Sequence, residues 1–212
     1  MTPIYASEAM RAMAGRGLTL RPGPWRTRSM STALRIFAAL PIPAEIAARV
    51  TPLQKGVPGA KWRPRENFHI TLAFYGDTEL DRVEELDSAL ARIRIAPFEL
   101  RLKGAGHFGS NEPHALWLGV EGGEPLADLA RQCAQAGKRA GLEMERRVYM
   151  PHLTLAYLTS PDLVRLQRFE QRLNLYASEP FIADRFALYS SQQKRKGPNQ
   201  YLAEAEYPLE GR

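Results

Sequence analysis

The residues best equipped for chemistry sit in one short motif that occurs twice. Residues 68–74 read Phe-His-Ile-Thr-Leu-Ala-Phe and residues 151–157 read Pro-His-Leu-Thr-Leu-Ala-Tyr. The two copies hold His69 and His152, two of only four histidines in the chain. Each copy is an apolar, β-branched run and is expected to be a strand. Side chains alternate along a strand, so His69 and Thr71 share one face and Ile70 and Leu72 the other. The second copy repeats this with His152 and Thr154 against Leu153 and Leu155. A single His in an apolar strand is ordinarily a core or surface residue. Two copies that agree at four positions, each before a turn and a helical pattern, point instead to two halves of one site.

Two imidazoles near their ordinary pKa of about 6.5 suit acid–base chemistry at neutral pH, one neutral and one protonated. In-line displacement at phosphorus uses such a pair: a base activates the nucleophile and an acid protonates the leaving oxygen. Thr71 and Thr154 can donate hydrogen bonds to the non-bridging oxygens as charge builds. No acidic residue flanks either motif on the His face. Two histidines make a poor metal site beside the usual three or four ligands, so metal-free chemistry with no cofactor is expected.

The elements that must position these residues run as two similar passes. A strand from Leu34 to Leu40 leads through Pro41-Ile-Pro43 into a helix of about a dozen residues that ends near Gly56. Lys61-Trp62-Arg63 is extended and feeds the first motif strand, closed by Gly76-Asp77. Thr78 is the expected N-cap of a helix to about Ile95, with Leu80, Val83, Leu86, Leu90 and Ile93 as its apolar stripe. Strands over Phe98–Phe108 and Ala115–Val120 flank the turn Gly109–Pro113. A helix over Glu124–Ala140 precedes the second motif strand, and Ser160-Pro161 caps another helix after it. Phe181–Ser190 and Tyr201–Tyr207 close the chain as a hairpin. Helices interleaved with mainly antiparallel strands indicate an α+β fold, with two lobes related by a pseudo-twofold and a His from each facing a central cleft.

Composition sets limits around this site. The 212 residues are 44% hydrophobic and 25% charged, normal for a globular protein with a real core. A net charge of +6 favours a polyanionic partner. The single Cys133 rules out an internal disulfide and suggests a reducing compartment, with the cytoplasm as the expected location. No apolar stretch is long enough to span a bilayer as a helix, and we expect no membrane partner and a monomer. Residues 1–33 form an N-terminal extension with five arginines and one acid, broken by Pro22-Gly23-Pro24. They are expected to be disordered, a targeting leader or the product of a misassigned start before Met30. Residues 34–209 are expected to form the single bilobal domain.

His69-Ile-Thr-Leu and His152-Leu-Thr-Leu resemble the paired His-x-Thr-x signatures of the 2H phosphoesterase superfamily. The wider chain resembles its RNA 2′,3′-cyclic phosphodiesterase branch, the LigT-like or 2′-5′ RNA ligase proteins. Arg35-Ile-Phe-Ala-Ala-Leu-Pro-Ile-Pro43 is similar to that family's opening strand, and Trp62-Arg-Pro-Arg-Glu-Asn-Phe-His69 to its approach to the first His. Ala115-Leu-Trp-Leu-Gly-Val120 and Phe186-Ala-Leu-Tyr-Ser-Ser191 are similar to later strands. The resemblance implies a bilobal 2H fold and metal-independent opening of a 2′,3′-cyclic phosphate at an RNA end, leaving a 2′-phosphate. It implies His69 as proton donor and His152 as proton acceptor, an order the near-symmetric motifs do not themselves set. Some relatives join tRNA halves through 2′-5′ linkages, so a reverse 2′-5′ RNA ligase activity is implied as secondary.

One position departs from the family pattern. Many relatives place an Arg that helps bind phosphate where this chain has Tyr157. Candidates to supply the charge are Arg63, Arg65 and the run Lys194-Arg195-Lys196, whose bland reading is a solvated turn. For the base, Tyr75 falls on the His69 face by strict alternation, and Phe108 or Tyr149 could reach a groove. His107 and His114 lack a Thr two residues on and read as structural or rim residues. The expected partners are RNA ends, tRNA fragments among them, or small cyclic phosphates. Two other readings stay open: a 2H phosphodiesterase for a small cyclic nucleotide or ADP-ribose cyclic phosphate, and a catalytically silent module that binds RNA ends.

Overall fold

The computed structural model describes residues 33–145, 148–194 and 197–211. The extension up to Thr32, Arg195 and Lys196 lie outside the described residues. Strand β1 (Ala33–Pro41) opens the domain one residue earlier than the sequence suggests, because Ala33 already pairs with Glu79. Helix α1 (Ala44–Val50) runs into a 3-10 turn at Thr51–Leu53, so its helical stretch is shorter than the expected dozen residues. Strand β2 (Ala60–Trp62) then leads to β3 (His69–Glu79), which carries the first motif.

Thr78 is not a helix cap. It is the penultimate residue of β3, opposite Leu34, and its hydroxyl donates to the Gly76 carbonyl within a buried setting. Helix α2 (Leu80–Leu90) starts behind it and stops short of Ile95. The amides of Arg92 and Ile93 bond back only three residues, a tightening that ends the helix. Of its expected stripe Val83, Leu86 and Leu90 are buried, as is Ile93 just beyond the helix, whereas Leu80 at the first turn is only half-buried. Strands β4 (Phe98–Phe108) and β5 (Ala115–Glu121) form a hairpin, followed by helix α3 (Gly123–Arg139) and by β6 (His152–Leu158) with the second motif. Helix α4 (Leu163–Leu173) is capped by Asp162 rather than Ser160, since the Asp162 carboxylate accepts the Arg165 amide.

Phe181–Ser190 is two strands, not one. Strand β7 (Phe181–Ala183) pairs with β4, whereas β8 (Arg185–Gln192) pairs with β1 and with β9 (Gln200–Pro208). The sheet order is β7-β4-β5-β6-β3-β1-β8-β9, with β2 added on β6. Only Asp184 separates β7 from β8, so strands near opposite ends of this path come within about 7 Å along the chain. The antiparallel sheet must therefore curl into a half-barrel.

The two motif strands meet at the middle of this path through a single pair, Ile70 opposite Leu153. Beyond that point they splay and leave a cleft between two half-sheets. Helices α2 and α3 pack on the half that contains β3, and α4 packs on β4 in the other. Tyr75 and Cys133 are buried between β3 and α3. Among the described residues no helix is long and apolar enough to cross a membrane.

Candidate active site

Both histidines are held by the same local device. His69 Nδ1 lies 2.8 Å from the Asn67 carbonyl oxygen, and His152 Nδ1 lies 2.8 Å from the Met150 carbonyl oxygen. A carbonyl only accepts, so each Nδ1 carries the hydrogen and each Nε2 is the nitrogen left to exchange a proton. Asn67 is fixed in turn by its own side-chain amide, which donates to the Asn199 carbonyl in the β8–β9 connection.

The motif strands match beyond the histidines. From His69 and from His152 the exposure runs identically over seven residues: partial, buried, partial, buried, buried, exposed, buried. Two consecutive buried residues break strict alternation, and the register shows the cause. Ala38 and Ala39 face Ala73 and Thr71, which skips Leu72; Leu116 and Trp117 face Ala156 and Thr154, which skips Leu155. Each motif therefore carries a β-bulge one residue after its Thr. His and Thr share the cleft face, and the bulge brings Phe74 and Tyr157 to equivalent exposed positions, 39% and 47% accessible.

The bulge overturns the expected place of Tyr75. With parity reversed after Leu72, Tyr75 points into the core, where its hydroxyl donates to the Cys133 carbonyl at 3.0 Å. Phe74 occupies the cleft position instead. Phe108 does reach the site: its ring meets His152 edge-on at 4.8 Å and packs on Trp117 at 5.6 Å. Tyr149 lies along the cleft and donates to the Thr71 carbonyl at 3.2 Å. A cavity of about 860 Å³ opens here, bounded by Thr71, Phe74, Phe108, His114, Tyr149 and His152. His107 is turned to α4, with Nδ1 at 2.6 Å from Glu170.

Around His69 the wall is aromatic. Phe37 lies 4.9 Å from its ring and Tyr201 meets it edge-on at 5.1 Å, with Tyr189 stacked behind Phe37. These rings come from β1, β8 and β9, far from the motif in sequence. Beside them Arg63 is 7% accessible, and its guanidinium lies 5.3 Å from the ring centres of both Tyr157 and Tyr201. Arg65 is exposed and paired with Glu66, and Lys194 is exposed two residues past the end of β8.

Burial governs the electrostatics. His69 is pushed down to about 4 by desolvation, and the nearby Arg63 and His152 add repulsion; the Asn67 hydrogen bond opposes this. His152 is lowered as well, by desolvation against the Met150 bond. At neutral pH both rings are therefore mainly uncharged. Among the described residues no cluster of three or more His, Cys, Asp or Glu is arranged to hold a metal ion.

A sequence profile of the 2′-5′ RNA ligase superfamily matches residues 42–195. The RNA 2′,3′-cyclic phosphodiesterase of Geobacillus stearothermophilus is 33% identical over 127 residues, 57% of this chain, and the match spans 40% of that longer protein. That of Archaeoglobus fulgidus is 29% identical over 175 residues, covering 78% of this chain and 95% of the relative. Among solved structures, E. coli LigT in its apo form aligns with a TM-score of 0.70 at 26% identity, over 85% of this chain and 99% of LigT. The chain thus belongs to the 2′-5′ RNA ligase superfamily of 2H phosphoesterases, with the LigT-like α+β fold.

Proposed function

We propose that the protein hydrolyses RNA 2′,3′-cyclic phosphate ends to 2′-phosphomonoesters, without a metal, by a two-histidine acid–base mechanism. The observation that carries this reading is the pair of equivalent imidazoles, each with Nδ1 locked to a carbonyl two residues earlier. In the forward reaction the Nε2 of His152 takes a proton from water as the water oxygen bonds to phosphorus. The phosphorus bond to the 3′ oxygen breaks, and that oxygen takes the proton held on Nε2 of His69. Thr71 and Thr154, on the same strand faces, donate to the non-bridging oxygens as negative charge accumulates. A 5′-hydroxyl in place of water would form a 2′-5′ linkage through the same groups, which would make ligation a secondary activity.

The named activity of the Archaeoglobus and Geobacillus relatives supports the substrate class. A second reading, a small cyclic phosphate as substrate, is favoured by the charge distribution. Five arginines against Glu8 put +4 of the +6 into residues 1–32, which leaves only +2 for the other 180 residues. In both readings the protein works as a cytoplasmic monomer.

The test is hydrolysis, in excess EDTA, of a short RNA ending in a 2′,3′-cyclic phosphate and of the matching mononucleotide. Wild type should form the 2′-phosphate, and His69→Ala and His152→Ala should each lose at least about a hundredfold in kcat. Faster turnover of the mononucleotide than of the RNA would select the second reading. Retained rates in both variants would remove the site assignment, and RNA binding with no turnover would leave a silent end-binding module.

A further inference from the structure

The guanidinium of Arg63 is an anomaly that the two-histidine chemistry does not explain. It is 7% accessible, makes no ion pair among the described residues, and its Nη2 is buried without a hydrogen-bond partner. A buried cation in that condition is costly, and the flanking faces of Tyr157 and Tyr201 offset only part of the cost. Its placement is not loose. The Arg63 amide donates to the Leu155 carbonyl at 2.8 Å, at the bulge of the second motif, and the Gln54 side chain donates to both the Arg63 and Leu155 carbonyls. The head group is close enough to His69 to repel a proton from it, and Tyr201 touches the His69 ring.

We propose that Arg63 binds the substrate phosphate, with Tyr157 and Tyr201 holding its guanidinium between them beside His69. This deepens the function proposed above and rests on it for the identity of the phosphate. A phosphate oxygen that uncovers the buried Nη2 would accept its orphaned hydrogen, and the planar fork can donate to two oxygens at once. An arriving monoanion would also cancel the charge that opposes protonation of His69, so binding and acid activation would be linked. Because Tyr157 lies against the guanidinium, an Arg at position 157 should be able to deliver a cation to the same place.

The test is direct binding of inorganic phosphate, and of a nucleoside 2′-phosphate, by calorimetry on the full chain. Arg63→Met should weaken both ligands about ten- to hundredfold without lowering the melting temperature. Arg63→Met combined with Tyr157→Arg should recover most of the affinity, which a purely structural staple would not predict. Turnover read alongside should show the loss in both KM and kcat, with the kcat pH profile of Arg63→Met shifted. Equal phosphate affinity in wild type and Arg63→Met would overturn the proposal, as would a wild type that binds neither ligand. Arg63-dependent phosphate binding in a protein that opens no cyclic phosphate would keep this inference and sink the hydrolase reading.

Discussion

A histidine whose Nδ1–H is tied to a carbonyl has one nitrogen left for chemistry, and how readily it holds a proton depends on what surrounds it. Here both rings are desolvated, and His69 is also repelled by Arg63 and His152. The mechanism proposed above needs one ring protonated and one neutral. His69 is charged only below about pH 4, and because both rings are lowered from 6.5, both are mainly neutral above pH 6.5. The singly protonated free enzyme is therefore most abundant on the acid side of neutrality, with the proton mainly on His152 because His69 is harder to charge. We expect kcat/KM, which reports free enzyme, to peak below pH 6.5 and fall as pH rises through neutrality. The kcat profile should lie at higher pH, since bound phosphate raises both rings and allows His69 to act as the donor. Initial rates from roughly pH 4 to 9 check this. Coincident profiles centred above pH 7 would show that the substrate's charge does not set the protonation state.

At the scale of a strand, the bulge after each Thr decides which side chains line the cleft. Tyr75→Phe should cost about 0.5–1.5 kcal/mol of stability through the lost bond to the Cys133 carbonyl, and should leave kcat and KM unchanged. Phe74→Ala, in contrast, should raise KM with little effect on stability, because Phe74 lies on the cleft face and is already 39% accessible. Urea unfolding and steady-state kinetics on the two variants separate these outcomes, and a KM change in Tyr75→Phe would place that ring in the cleft. The contrast also marks how far the sequence could be read. His69, Thr71, His152 and Thr154 share a face because they stand two residues apart before the bulge, where period-2 reasoning holds. It failed one residue later, since nothing in Leu72 or Leu155 signals an extra residue in the ladder. Thr78 was misplaced for a related reason: a good N-cap residue type was drawn into β3 by its pairing with Leu34. The wall of Phe37, Tyr189 and Tyr201 was not legible at all, because β1, β8 and β9 meet His69 only through tertiary pairing.

Across the whole molecule, charge separates the two substrate readings. A basic chain invites the inference of a long phosphate track, yet residues 33–212 carry only +2 of the total. The phosphate site proposed above holds one buried cation, Arg63, and a mononucleotide engaging it should lose affinity with a slope of about −0.7 in log salt. An RNA that reaches further must find its extra cations elsewhere, and one supply in the sequence is the five arginines of residues 1–32, which only Glu8 offsets. We therefore expect log(kcat/KM) for a ten-nucleotide RNA to fall more steeply with salt than for the mononucleotide. Replacing Arg11, Arg16, Arg21, Arg26 and Arg28 together by Gln should return the RNA slope to the mononucleotide value while leaving mononucleotide turnover intact. Kinetics at several ionic strengths between roughly 50 and 200 mM decide it. A steep RNA slope that survives all five replacements would assign the additional contacts to the domain itself, with Lys194 beside the β8–β9 connection as the first residue to change. Equal and shallow slopes for both substrates in the unaltered chain would mean that the protein reads the cyclic phosphate and its own nucleotide and nothing beyond them.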